Sequence, residues 1–202
     1  NEVQSKIIKY HQSRHHCEMV LDKTPFYAES GGQVGDTGHL TADGFNFKVE
    51  DVQKLGEEYI HLGQITSGSI KNVQNVKAKI NEYRRNAIRR NHTATHLLHQ
   101  ALKEILGDHV QQAGSLIGEK LLRFDVTHYE QITSEQIVNI DNLVTSIILN
   151  NEEVTTELLP YKEACEEGAV SLFGEKYGDV VRVVNVPGFS KELCGGTHVH
   201  RT

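Results

Sequence analysis

NEYRRNAIRRNHTATHLLHQALKEIL, residues 81–106, contains neither glycine nor proline. Its apolar positions Ala87, Ala94, Leu97, Leu98, Ala101, Leu102, Ile105 and Leu106 recur at helical spacing. The stretch predicts one long helix, with Gly107 as its C-terminal stop. Before it the chain reads differently. Residues 14–80 offer short β-leaning runs, RHHCEMVLD, FNFKVEDV, EYIHLG and VQNVKAKI. Glycine clusters at 31–38 and the pairs Asp43-Gly44, Leu55-Gly56 and Ser67-Gly68 separate them, so a small barrel-like sheet is expected. Alternation within the runs is imperfect and leaves the pairing open.

Beyond the helix come two strand-like runs, HVQQAGSLI and KLLRFDVTH. A second helix is predicted over 134–150, opened by a T-x-x-Q capping box at Thr133 and Gln136. A strand at 154–159, a short helical segment after Pro160 and a strand at 179–186 (DVVRVVNV) complete the pattern. The expected fold class is α+β, with a β-barrel-like subdomain over residues 1–80 and an α+β subdomain over 81–202.

Composition sets the outer limits. The 202 residues are 38% hydrophobic and 24% charged with three prolines, which fits folded rather than disordered chain. Lys plus Arg is 21 against 27 for Asp plus Glu, a net charge of −6, which excludes a generally basic nucleic-acid glove but not a local basic patch. Apolar runs such as AVSLF and LVTSIIL fall far short of the roughly 18 residues that span a bilayer. No basic leader with an apolar stretch opens the chain, so no membrane and a cytoplasmic location are expected. Three widely spaced cysteines without a C-x-x-C pair argue against a disulfide framework.

Twelve histidines make spacing the informative feature. His92 and His96 stand four apart on the predicted helix, hence on one face and close enough to share a metal ion. Cys194 and His198 flank Gly195, Gly196 and Thr197, and the two glycines are expected to let the backbone fold back. Together the four residues form an N₃S set that favours zinc. Each pair alone reads more often as an ordinary half-buried polar face than as a ligand pair, the C-x-x-x-H pair most of all. His99 and His200 are spare candidates. A zincin peptidase is disfavoured, because Thr93 and not Glu follows His92.

Residues 24–38, TPFYAESGGQVGDTG, match neither the dinucleotide fingerprint nor a P-loop. Two readings stay open. Gly31-Gly32 can simply supply a hairpin turn. Alternatively Gly31 and Gly32 let a substrate approach the backbone, while Thr24 or Gln33 hydrogen-bonds a small polar group.

The segments TPFYAESGGQVGDTG, RRNHTATHLLHQAL, HVQQAGSL, LRFDVTH, LFGEKYGDVVRVV and ELCGGTH resemble the editing domain of bacterial alanyl-tRNA synthetase, in the same order. HTATH with CGGTH is also similar to the threonyl-tRNA synthetase editing domain and to free-standing alanyl-tRNA editing proteins. The resemblance implies a zinc-binding editing subdomain that hydrolyses the ester of Ser-tRNA(Ala), and of Gly-tRNA(Ala) too. It implies zinc ligation by His92, His96, Cys194 and His198, and places Thr24 and Gln33 near the aminoacyl group. It further implies a piece of a longer synthetase that acts on the tRNA(Ala) acceptor end, without the ligase half.

Physical chemistry says what such a site must do. An apolar pocket rejects an added hydroxyl by only ~10²-fold, whereas a site that hydrogen-bonds the hydroxyl discriminates by ~10⁴–10⁵-fold. Thr24 has a donor and an acceptor for reading serine. Gln33 and Cys194 are the catalytic candidates, Cys194 because it sits on the glycine turn; Gln111 and Gln112 are further orienting amides. Arg84, Arg85, Arg89 and Arg90 can meet phosphates or form a plain solvated helix face. The competing functional readings are a threonyl-type editing domain and a non-catalytic zinc-stabilised RNA-binding module.

Overall fold

The computed structural model describes residues 1–13, 16–171 and 177–202. The start of RHHCEMVLD and the LFGEK of LFGEKYGDVVRVV lie outside the described residues. The chain forms two compact units, Asn1–Ala87 and Ile88–Thr202, with the division inside the long helix.

The first unit is a closed six-stranded barrel. Its strands are β1 (Glu2–Gln12), β2 (Cys17–Leu21), β3 (Gly38–Ala42), β4 (Phe45–Leu55), β5 (Glu58–Ser67) and β6 (Asn75–Ile80), in the spatial order β1-β2-β5-β4-β3-β6. All neighbouring pairs are antiparallel. Inward residues alternate with outward ones, so Cys17, Met19 and Leu21 of β2 enter a core with Leu40, Phe45, Phe47, Val49, Val52, Val76, Ala78 and Ile80. The imperfect alternation of FNFKVEDV has a cause. Register shifts between Val49 and Asp51, so Phe45, Phe47 and Val49 point inward at odd positions and Val52 at an even one. A bulge inserts the extra residue that makes this change of phase.

The second unit contains most of α1 (Glu82–Leu106), the hairpin β7 (Gln112–Ile117) and β8 (Leu122–Val126), α2 (Ser134–Asn150), β9 (Thr155–Pro160), α3 (Tyr161–Glu166), β10 (Val180–Val186) and β11 (Ser190–Leu193). The last three strands form a sheet in the order β11-β10-β9. Gly107 ends α1 at φ +114°, and the reciprocal Thr133–Gln136 capping box opens α2. Leu97 of α1 packs with Val184 and Val186 of β10, a cluster that also takes in Cys194 and Val199. That packing lays the turn after β11 against the histidine-bearing part of α1. Ala101 and Leu102 pack with Val110 and Ile140 in an adjoining cluster.

Three strands were not expected. β1 buries only Ser5 fully and shows no apolar alternation, β3 hides in the glycine-rich stretch, and β11 is the short polar sequence SKEL. Each is held by pairing to its neighbours, which local composition does not report. No helix among the described residues is long and apolar enough to cross a membrane. No disulfide joins the cysteines.

Candidate functional site

The second unit brings together the two distant pairs. The candidate ligand atoms of His92, His96, Cys194 and His198 lie within 4.8 Å of one another. Cys194 Sγ is 3.4 Å from His92 Nε2 and 3.3 Å from His198 Nε2. A tetrahedral zinc with ordinary bond lengths would set sulfur–nitrogen edges of about 3.6 Å. The sulfur and the two nitrogens are therefore already spaced for one ion. Ring centroids of His92, His96 and His198 are 4.3–5.3 Å apart in pairs.

Their electrostatics suit lone-pair donation. Burial, helped by His96 and Arg182, pushes His92 down to about 3. Burial also lowers His96, against the opposing pull of Glu192. His198 is held well below its ordinary value by burial, then by His96 and His92. Neutral imidazoles are the form that binds a metal, so the donor set fits zinc.

Neighbouring groups aim the ligands. Thr93 Oγ1 lies 3.1 Å from His198 Nδ1 and accepts from the Val199 amide at 3.2 Å. When His198 Nε2 bears the lone pair, Nδ1 donates to that hydroxyl, which fixes the ring's tautomer. Arg182 Nη1 donates to the carbonyls of Cys194 and Gly196, and the Gly196 amide donates to Cys194 Sγ at 3.3 Å. Gly195 does not have a left-handed φ, and a Cβ there would meet open space. The fold-back around Gly195 is held by these hydrogen bonds. Glu192 bonds His99 Nδ1 at 3.1 Å and lies 3.8 Å from His96 Nε2. Its carboxyl is pushed up by burial, but His96, the His99 hydrogen bond and Lys103 bring it below the usual range.

Of the spare histidines, His99 is engaged with Glu192 and His200 is exposed. Gln111 and Gln112 line a cavity of about 240 Å³ with His99, Lys103 and Asp108. Sequence reasoning missed Thr93, Arg182 and Glu192. Thr93 is adjacent to a candidate ligand and Glu192 is two residues from another, but nothing in the spacing ties Arg182 to the turn.

In the first unit, Gly31 and Gly32 have φ of 55° and 80°, between Ser30 and Gln33, which exchange backbone hydrogen bonds. Positive φ at both central residues is the requirement of a type I′ turn. Gln33 is fully buried. Asp36 bonds the amide of Tyr27 and forms a buried ion pair with Arg85, which also donates to the Pro25 carbonyl. Arg84 donates to the Gly35 carbonyl at 2.6 Å. Two of the four clustered arginines thus tie down the 24–38 loop. Arg89 is half-buried and Arg90 exposed. Thr24 Oγ1 lies 2.7 Å from His61 Nε2 and accepts from the Phe26 amide at 3.1 Å.

Comparison with known proteins shows similarity first to the tRNA synthetases. The family model described as tRNA synthetases class II (A) matches residues 2–84, and that for the threonyl and alanyl tRNA synthetase second additional domain matches residues 181–202. More narrowly, the chain is 52% identical over 184 residues to an alanine–tRNA ligase of Legionella pneumophila (strain Lens). The same enzyme of Thermoanaerobacter sp. (strain X514) is 54% identical and that of Halorhodospira halophila (strain DSM 244 / SL1) 53% identical, over the same length. Each alignment covers 91% of this chain and 21% of the relative. The chain is thus a relative of the alanine–tRNA ligases, and spans about a fifth of the length of the curated relatives it matches. The resemblance read from its motifs holds.

Proposed function

We propose that this chain is the editing domain of an alanine–tRNA ligase, acting in the cytoplasm. It hydrolyses the ester linking serine, or glycine, to the acceptor end of tRNA(Ala). The observation that carries the reading is the convergence of His92, His96, Cys194 and His198 from two distant stretches. The sequence similarity to alanine–tRNA ligases supports it.

In this reading residues 1–80 form the glycine-motif β-rich subdomain and 81–202 the zinc-binding subdomain of a longer synthetase. The four converging residues hold zinc, which when bound supplies Lewis acidity toward an ester carbonyl or a water of lowered pKa. His92, His96 and His198 are buried, whereas Cys194 is half-exposed. Cys194 is therefore assigned both to ligation and to the face that meets substrate. Thr93 and Arg182 hold that set in its orientation. Thr24 reads the serine hydroxyl, Gly31 and Gly32 shape the loop beside the aminoacyl group, and the closed-in amide of Gln33 orients it. Among the predicted phosphate contacts Arg84, Arg85, Arg89 and Arg90, the exposed Arg90 is the foremost.

Deacylation of purified Ser-tRNA(Ala) by the chain, before and after chelation, tests the proposal. Hydrolysis is expected with zinc, lost on chelation and regained on zinc addition. A zinc-loaded chain that binds tRNA(Ala) without hydrolysing either ester would instead be a zinc-stabilised RNA-binding module. Four protein ligands, the pattern of a closed structural site, are what such a module would use to stabilise its fold.

A further inference from the structure

His61 lies on β5, fully buried, with its ring edge-on to Phe26 at a centroid distance of 5.2 Å. Its Nδ1 is 3.0 Å from the carbonyl oxygen of Met19. A carbonyl can only accept, so Nδ1 carries the hydrogen. Burial keeps the ring neutral near pH 7, lowering it to about 4 against the pull of the Met19 and Tyr59 backbone. A neutral imidazole protonated at Nδ1 presents a bare lone pair at Nε2. Thr24 Oγ1, 2.7 Å away, must then donate its hydrogen there. The same oxygen accepts from the Phe26 amide, which leaves it one lone pair.

The geometry points to His61 as the positioning residue that makes Thr24 an acceptor-only group and thereby a reader of hydroxyl donors on the aminoacyl moiety. This rests on the editing function proposed above. It also sharpens what Thr24 offers, because the donor that the residue type supplies is already engaged. A seryl hydroxyl can donate to the remaining lone pair, whereas an alanyl methyl cannot. The half-buried position of Thr24 leaves it within a ligand's reach, and the buried imidazole behind it is insulated from competing water.

The test measures kcat/KM for Ser-tRNA(Ala) and Ala-tRNA(Ala) with the wild-type chain, Thr24→Val, His61→Phe, His61→Gln and the double variant Thr24→Val/His61→Phe. Loss of one uncharged hydrogen bond predicts that His61→Phe lowers the Ser:Ala preference about tenfold. In His61→Gln the amide oxygen can accept from Thr24 and should restore most of the preference. In the Thr24→Val background, His61→Phe should change the preference no further, whereas a general packing defect would depress both substrates alike. If Thr24→Val alone leaves the preference unchanged, the reading of Thr24 fails, and this assignment with it. If Thr24→Val lowers the preference but folded His61→Phe does not, only the assignment of His61 fails. Should His61→Phe not fold, nitrogen-15 NMR of the wild-type chain decides: hydrogen at Nδ1 with a bare Nε2 supports the proposal, and hydrogen at Nε2 overturns it.

Discussion

Arg182 donates to the carbonyl oxygen of Cys194 over 2.8 Å, and the Cys194 amide donates back to the Arg182 carbonyl over 2.9 Å. One side chain and one backbone bond thus tie the candidate ligand turn to the middle of β10. Arg182→Leu should leave the fold intact by circular dichroism while weakening zinc binding about 10–100-fold, the usual effect of losing a group that orients a ligand. Competition with a chromophoric chelator measures this, and unchanged affinity would deny Arg182 that part.

Cys194→Ala separates two uses of the metal. With Cys194 facing substrate, the variant should stay folded, keep metal on the three histidines and lose Ser-tRNA(Ala) hydrolysis. Metal loss with unfolding would make the zinc a structural element, which can contribute about 10–16 kcal/mol to folding. Metal content and a urea melt on one preparation distinguish them.

The Asp36–Arg85 pair is buried, with side-chain exposures of 1% and 8%. Removing one partner strands the other charge away from water. Asp36→Ala should therefore destabilise the chain by about 3–5 kcal/mol in urea unfolding. A loss under 1 kcal/mol would mean that water reaches Arg85 readily.

His61 gives the barrel an acid-sensitive component. Its folded value of about 4 lies below the unfolded 6.5, so above pH 6.5 both states are neutral and there is no effect. As pH falls from 6.5 to 4 the unfolded chain takes up a proton that the folded chain refuses, and stability drops. The loss approaches roughly 3 kcal/mol at pH 4. In His61→Gln this component should vanish, so its stability relative to wild type should rise by about that amount between pH 7.5 and pH 4. Parallel profiles would show that His61 protonates without hindrance.

Arg90 is the exposed member of the arginine cluster. If it meets a phosphate, Arg90→Ala should reduce the slope of log affinity for tRNA against log salt by about one. An unchanged slope assigns the residue to plain solvated surface.

How much of this was readable beforehand depended on whether a local rule governed the element. Residues 81–106 carried their own periodicity and stop, and the long helix follows them closely as Glu82–Leu106. The T-x-x-Q box likewise marked the start of α2. The strands β1, β3 and β11 had no such signal, because backbone pairing to their neighbours stabilises them, which local composition does not report. At the candidate metal centre the residue types and spacings were legible, and the structure brings those four side chains together. The neighbours that aim them were not. Thr93 and Arg182 act through hydrogen bonds to particular atoms of His198 and Cys194, a relation that no spacing rule encodes. The arginine cluster taught the reverse lesson. The run of like charges offers phosphate contacts or a solvated helix face, yet Arg84 and Arg85 reach back to Gly35 and Asp36 while Arg90 stays outside.

β6 is bonded on one side to β1 and on the other to β3, with Glu2 opposite Lys79 and His39 opposite the same lysine. On a translating ribosome, β1 must therefore wait for Lys79 to be made before the ring can shut. Until then the nascent sheet has two raw margins open to strangers. Such distant pairing slows folding, so β6 is where a chaperone or a stalled codon would matter most to the yield of finished barrels.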